Sequence, residues 1–153
     1  MKIYLDANII YGFFKNVLRE IRKGEEFREP AVLKFLKESG LELYTSVLVK
    51  AEIARRMRTE WNCNAEEVNE AWKKFAEYIK IEIITTAVIT EEISYIATQI
   101  PLKKRISNIM HLIIAKQYDL WFLTGDKEII DKCKPAYSKI ISYIELRRKI
   151  HVS

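Results

Sequence analysis

Residues that interrupt a chain are scarce in this sequence. Four glycines and three prolines among 153 residues leave little material for long flexible linkers. Cysteine is as sparse: Cys63 and Cys133 stand alone, without a CxxC pair. Their isolation argues against a disulfide framework and a cysteine-rich zinc site, and fits inert thiols in a core. No apolar run approaches the roughly 18 residues that a membrane span requires, and no leader-like segment precedes the first apolar stretch, so a cytoplasmic protein without membrane contact is expected. No glycine-rich loop follows that stretch, which removes a dinucleotide-binding fold of the GxGxxG kind.

What is present suits a single domain spanning residues 1–153. Hydrophobic residues make up 49% and charged residues 31%, the balance of a folded chain rather than a disordered one. That length is enough to enclose a proper core. The net charge is +5, and basic residues bunch at Arg55, Arg56 and Arg58, at Lys103, Lys104 and Arg105, and at Arg147, Arg148 and Lys149. Such clusters suit contact with phosphates, and each also reads as an ordinary solvated face.

Periodicity divides the chain into alternating strands and helices. "KIYLDAN" reads as a short buried strand, followed by apolar residues at helical spacing in "IIYGFFKNVLREIRK". Pro30 suits the first turn of the helix "PAVLKFLKES", which Gly40 stops. "LELYTS" alternates like a strand and offers Thr45 or Ser46 as the cap of "VLVKAEIARRMRTEW". The helix "NAEEVNEAWKKFAEYI", the strand "IEIITT" and the helix "TEEISYIATQI" come next. "ISNIMHLIIAKQY" is apolar almost all round and should lie at the centre. "DLWFLTG" is a fourth strand, "DKEIIDKC" a short helix, and "SKIISYIEL" a last edge strand leading into a basic tail. The alternation predicts an α/β fold with a mainly parallel sheet of four to five strands flanked by helices in three layers.

In open α/β sheets the working crevice lies beyond the carboxyl ends of the strands, and acids stand there in this sequence. Asp6 follows Ile3–Leu5, and Asp126 follows "LWFL" by way of Thr124 and Gly125. Glu52 interrupts the apolar run of Val47, Leu48, Val49, Ala51, Ile53 and Ala54, where a charge must be solvated, paired or bound to a cation. Ser107, Asn108 and His111 form a polar strip on the central apolar helix. Oxygen ligands from four segments at one end of a sheet suit magnesium or manganese. Such an ion activates water for displacement at phosphorus, so a basic protein with this site is a candidate nuclease. Plainer roles stay open for the same residues. Asp6 and Asp126 can cap helices, Glu52 can pair with Arg55 or Arg56, Ser107 or Asn108 can cap their helix, and His111 suits a hydrogen-bonded core position.

The segments "YLDAN", "SVLVKAEI", "NIMHLIIAK" and "FLTGDKE" resemble, in order and spacing, the four motifs of PIN-domain ribonucleases, and the layout is similar to the VapC type, the toxin half of toxin–antitoxin pairs. The resemblance implies a magnesium- or manganese-dependent acidic site that cuts single-stranded or structured RNA. It implies a small antitoxin protein as partner, and a homodimer. Carried over by position, Asp6, Glu52 and Asp126 match the family acids that hold metal. Asn8 and Thr124 match supporting partners, and Glu128 an auxiliary outer acid. Asn108 departs from the pattern, standing where the family usually has an aspartate ahead of His111 and Ala115. An amide keeps a carbonyl ligand but loses the negative charge. The resemblance therefore leaves two functions in view: a working ribonuclease, and an impaired PIN fold that binds RNA or protein. A phosphatase of the haloacid dehalogenase kind is unsuited, because Asn8 occupies the place of its proton-donating acid.

Overall fold

The computed structural model describes residues 1–85, 97–98 and 106–152. Its strands are β1 (Lys2–Leu5), β2 (Glu42–Ser46), β3 (Glu82–Ile84), β4 (Trp121–Leu123) and β5 (Ile140–Ile141). Seven helices are described: α1 (Ala7–Lys23), α2 (Ala31–Glu38), α3 (Val47–Trp61), α4 (Ala65–Tyr78), α5 (Ile106–Gln117), α6 (Lys127–Lys132) and α7 (Tyr143–Val152). The strands form one sheet in the order β3-β2-β1-β4-β5, and every pair in it is parallel. The expected α/β architecture with a mainly parallel sheet is thus present, at five strands.

Parallel strands need crossover connections, and these are nearly always right-handed. The chain steps from β1 through β2 to β3 in one direction and from β4 to β5 in the other. Connections of one hand then put helices on opposite faces of the sheet. In keeping with that, α1 packs on α2, α3 and α4, whereas α5 packs on β4. The strand order reverses between β1 and β4, and such a switch point opens a crevice at the strands' carboxyl ends.

Strand β1 sits in the middle of the sheet, with Ile3, Tyr4 and Leu5 fully buried. Its partners in register are Leu43 and Tyr44 on one side and Trp121, Phe122 and Leu123 on the other. On the helical side the core continues through Phe13, Phe14, Trp72 and Phe75, whose rings pack 4.7 to 5.7 Å apart, centroid to centroid. Cys63 and Cys133 are free and buried, and burial pushes the Cys133 thiol up to about 11, as suits inert core residues. Among the described residues no helix is long and apolar enough to cross a membrane.

The segment expected as a final edge strand contributes only Ile140–Ile141 as β5, and then turns into helix α7. Ser142 causes the switch: its hydroxyl accepts from the Glu145 N–H at 3.2 Å, while the Ser142 N–H donates to the Glu145 carboxylate at 2.9 Å. This reciprocal capping box starts a helix, so the basic residues of the tail lie on a helix. Most of the helix expected for "TEEISYIATQI", and the basic cluster Lys103, Lys104 and Arg105, lie outside the described residues.

Candidate metal centre

Asp6 is the residue at which β1 ends and α1 begins. Its N–H continues the sheet by donating to the Leu123 carbonyl at 3.1 Å, while its side chain caps α1 by accepting from the Ala7 N–H at 2.7 Å. The plain capping role therefore exists, and it uses only one carboxylate oxygen. The other oxygen accepts from the Thr124 hydroxyl at 2.7 Å and from the Asn8 amide at 3.2 Å. Asn8 is fixed in turn because its carbonyl accepts from the Gly125 N–H at 2.9 Å. Thr124 is buried, and its hydroxyl also accepts from the Asp126 N–H at 3.0 Å. Asn8 and Thr124 thus bind the ends of β1 and β4 together around one carboxylate.

Helix α3 brings in Glu52. Ser46 caps that helix, accepting from the Val49 N–H at 3.3 Å, and Glu52 lies one and a half turns further along. The alternative of a pair with Arg55 or Arg56 is not what forms. Arg56 pairs with Glu60, and the Glu52 carboxylate meets Nε2 of His111. That histidine is completely buried, its Nε2 is also 3.7 Å from Asp6, and its Nδ1 meets the Tyr4 hydroxyl at 2.7 Å. Tyr4 in turn meets the Ser46 hydroxyl at 2.7 Å. A hydrogen-bonded chain thus runs from Ser46 through Tyr4 and His111 to the Glu52 carboxylate. Burial holds the Tyr4 hydroxyl well above its ordinary range, so it keeps the proton it donates.

Asp6, Glu52 and His111 each offer a donor atom within 4.8 Å of the other two. In front of them opens a cleft of about 710 Å³, walled by Asp6, Asn8, Glu52, Asn108 and Asp126 together with Arg55 and Arg56. Burial raises the Asp6 carboxyl above its ordinary range and the Glu52 charge adds to this, while His111, Thr124 and Ala7 pull it back. Two carboxylates on the wall of an open cleft are a donor set that fits a hard divalent cation. A cation there would offset the cost of keeping Asp6 charged.

The other expected site residues are placed less centrally. Asn108 and Ser107 lie inside α5, past its first residue, and both face the cleft. Asp126 lines the cleft too, and one oxygen caps α6 by accepting from the Glu128 and Ile129 N–H groups. It stands outside the tight group of Asp6, Glu52 and His111. Glu128 lines a neighbouring groove with Asn8, Asp126 and Lys132 rather than the cleft itself, and its carboxylate is 3.5 Å from Lys132. Tyr4 and Ser46 were not singled out as site residues by the sequence. Tyr4 reads as one more apolar residue of β1, and only its contact with a histidine 107 positions away reveals the role of its hydroxyl.

The chain matches the family model of the PIN domain over residues 3–135. No curated protein matches it. A chain of a toxin–antitoxin complex from Klebsiella pneumoniae shares the fold with a TM-score of 0.56 at 13% identity, covering 92% of this chain and 97% of that one. A chain of VapBC2 from Rickettsia felis, solved bound to a DNA fragment from the promoter, superposes with a TM-score of 0.50 at 14% identity, covering 93% and 97%. At these identities the likeness is one of fold. The family model spans most of the sequence, so the chain belongs to the PIN domain family.

Proposed function

We propose that this protein is a divalent-metal-dependent endoribonuclease that cuts single-stranded or structured RNA, with Asp6, Glu52, Asn108 and Asp126 as its catalytic and metal-holding set. The observation that carries this reading is the meeting of all four side chains on the wall of one open cleft, beside Arg55 and Arg56. Magnesium or manganese bound there would supply an activated water and neutralise charge at phosphorus. Asp6 and Glu52 supply the charged oxygens. Thr124, Asn8 and the Ala7 N–H fix the orientation of Asp6, and the His111 ring fixes that of Glu52. Asn108 contributes an amide oxygen without charge. Asp126 is oriented by the first turn of α6, with Glu128 as an outer acid nearby. The arginines on the cleft wall attract the phosphate backbone.

The reading extends to biology through the relatives of known structure. Both belong to toxin–antitoxin systems, which supports a cytoplasmic toxin of the VapC type, held by a small antitoxin protein and acting as a homodimer. One observation favours a second reading, an RNA- or protein-binding module with impaired catalysis: the cleft holds Asn108 where a carboxylate would complete the acids.

Cleavage of a mixed single-stranded RNA separates the two. The purified chain is assayed with manganese and with chelator, beside Asp6→Ala and Asn108→Asp. Metal-dependent cutting that vanishes with Asp6→Ala establishes the nuclease. Cutting by Asn108→Asp alone establishes an intact fold disabled at one ligand. Silence from both, with RNA still bound, establishes the binding module.

A further inference from the structure

Beyond the acids, the wall of the cleft continues along one face of α3 through Arg55, Arg56, Thr59 and Glu60. Positions 52, 56 and 60 fall on the same side of a helix, each about 6 Å further along its axis at a rise of 1.5 Å per residue. Of the two arginines there, Arg56 is held in place from two directions. Its guanidinium carbon lies 3.7 Å from the centroid of the Tyr11 ring. Its Nε and Nη2 both donate to one Glu60 oxygen at 3.3 Å. The other Glu60 oxygen accepts from the Tyr11 hydroxyl, so Tyr11, Glu60 and Arg56 close a ring of contacts.

Exposed ion pairs at helical spacing add little stability, and this one is 44% and 45% exposed at its two side chains. Its consequence is geometric. Tyr11 is only 4% exposed and cannot swing away, and burial pushes its hydroxyl up to about 12, so it stays a donor to Glu60. An arginine is planar and forked, and one already confined to a single pose loses less freedom when it binds an oxyanion. The Glu60 bonds engage one edge of the guanidinium and leave its remaining N–H donors beside the cleft.

We propose that Arg56 is a preformed phosphate subsite, which takes the backbone phosphate next to the one that a divalent cation at Asp6 and Glu52 would hold. The distance between Glu52 and Arg56 along α3 is comparable with the spacing of successive phosphates in an extended single strand. A polynucleotide laid along α3 would therefore bring one phosphate to a cation held by the acids and its neighbour to Arg56. The subsite recognises the phosphodiester and not the base, so it selects an extended strand rather than a sequence. The proposal rests on the reading of the cleft as a polynucleotide site.

The test has a binding arm and a cleavage arm. In chelator, where no cutting occurs, affinity for a short labelled single-stranded RNA is followed by fluorescence anisotropy across a salt series. Arg56→Gln weakens binding about ten-fold and lowers the slope of log affinity against log salt by about 0.7, the value for one lost phosphate contact on a single strand. Arg56→Lys, which keeps the charge and loses the fork, recovers part of the affinity. Lys73→Gln, on an exposed pair with Glu70 away from the cleft, changes little. With manganese, a neutral methylphosphonate placed on one side of the cut slows the native chain about ten-fold and leaves Arg56→Gln indifferent.

Equal affinity and equal salt slope for Arg56→Gln and Lys73→Gln overturn the subsite, and so does an absence of RNA binding by the native chain. Loss of binding in Arg56→Gln, with no cutting by any variant, keeps the subsite and sinks the nuclease reading. Metal-dependent cutting that Arg56→Gln leaves untouched does the reverse.

Discussion

Asp6 is 5% exposed, yet three groups donate to its carboxylate. Burial still outweighs them and raises its proton affinity. A carboxyl whose folded value lies above its unfolded one stabilises the fold most below its ordinary value of 3.8, and that contribution is lost as pH rises through the folded value. In chelator, the stability of the native chain relative to Asp6→Ala therefore declines as pH rises above about 4 in urea titrations. Saturating manganese abolishes the decline, because the cation favours the charged form. Position 108 is read by a different experiment. Asn108→Asp restores one charge-assisted interaction of about 1.5–3 kcal/mol, so calorimetric titration with manganese should show affinity rising roughly ten- to hundred-fold. Unchanged affinity would place the position 108 oxygen out of reach of the ion. Tyr4→Phe deprives both His111 and Ser46 of a partner inside a dry core. It should cost about 1–3 kcal/mol in urea unfolding.

Among the elements, periodicity made the helices α1 to α4 and α6 legible, because each presents an apolar stripe between recognisable punctuation. The caps at Ser46 and Asp126 were visible for the same reason, as local patterns of a few residues. The end of the chain was less so. Ile140–Ile141 followed by Tyr143 and Ile144 looks like a continuing strand, and the only sign of a helix is the S-x-x-E pattern of Ser142 and Glu145. Ser142→Ala should thus cost about 0.5–2 kcal/mol in urea unfolding, with loss of helical signal confined to α7. The acids at the strand ends could be found from sequence because a charge after a buried strand is conspicuous. The partners that aim them could not. Glu52 meets a histidine 59 positions away, and Thr124 reaches Asp6 across 118 positions. Only sheet order brings such pairs together.

For the molecule as a whole, the position of the site matters as much as its chemistry. The sheet changes direction between β1 and β4, so the outward-stepping halves of the fold meet along the seam joining these two strands. At the carboxyl end of that seam the side-chain bonds of Asn8 and Thr124 to Asp6 close the two halves, and Glu52 and Asn108 reach the same cleft from the helices of opposite layers. A cation held there would bind the folded chain and not the unfolded one. At a free concentration 100 times its dissociation constant, such a ligand adds about 2.7 kcal/mol. For a protein of this size each kcal/mol is worth roughly 2–4 °C, so manganese should raise the Tm by about 5–10 °C in a thermal melt. Asp6→Ala should remove nearly all of that rise, because it deletes the buried carboxylate at the seam. Asp126→Ala should remove less, since Asp126 stands outside the tight group of donor atoms. Equal losses from the two variants would mean that the ion sits nearer α6 than the geometry of Asp6, Glu52 and His111 indicates.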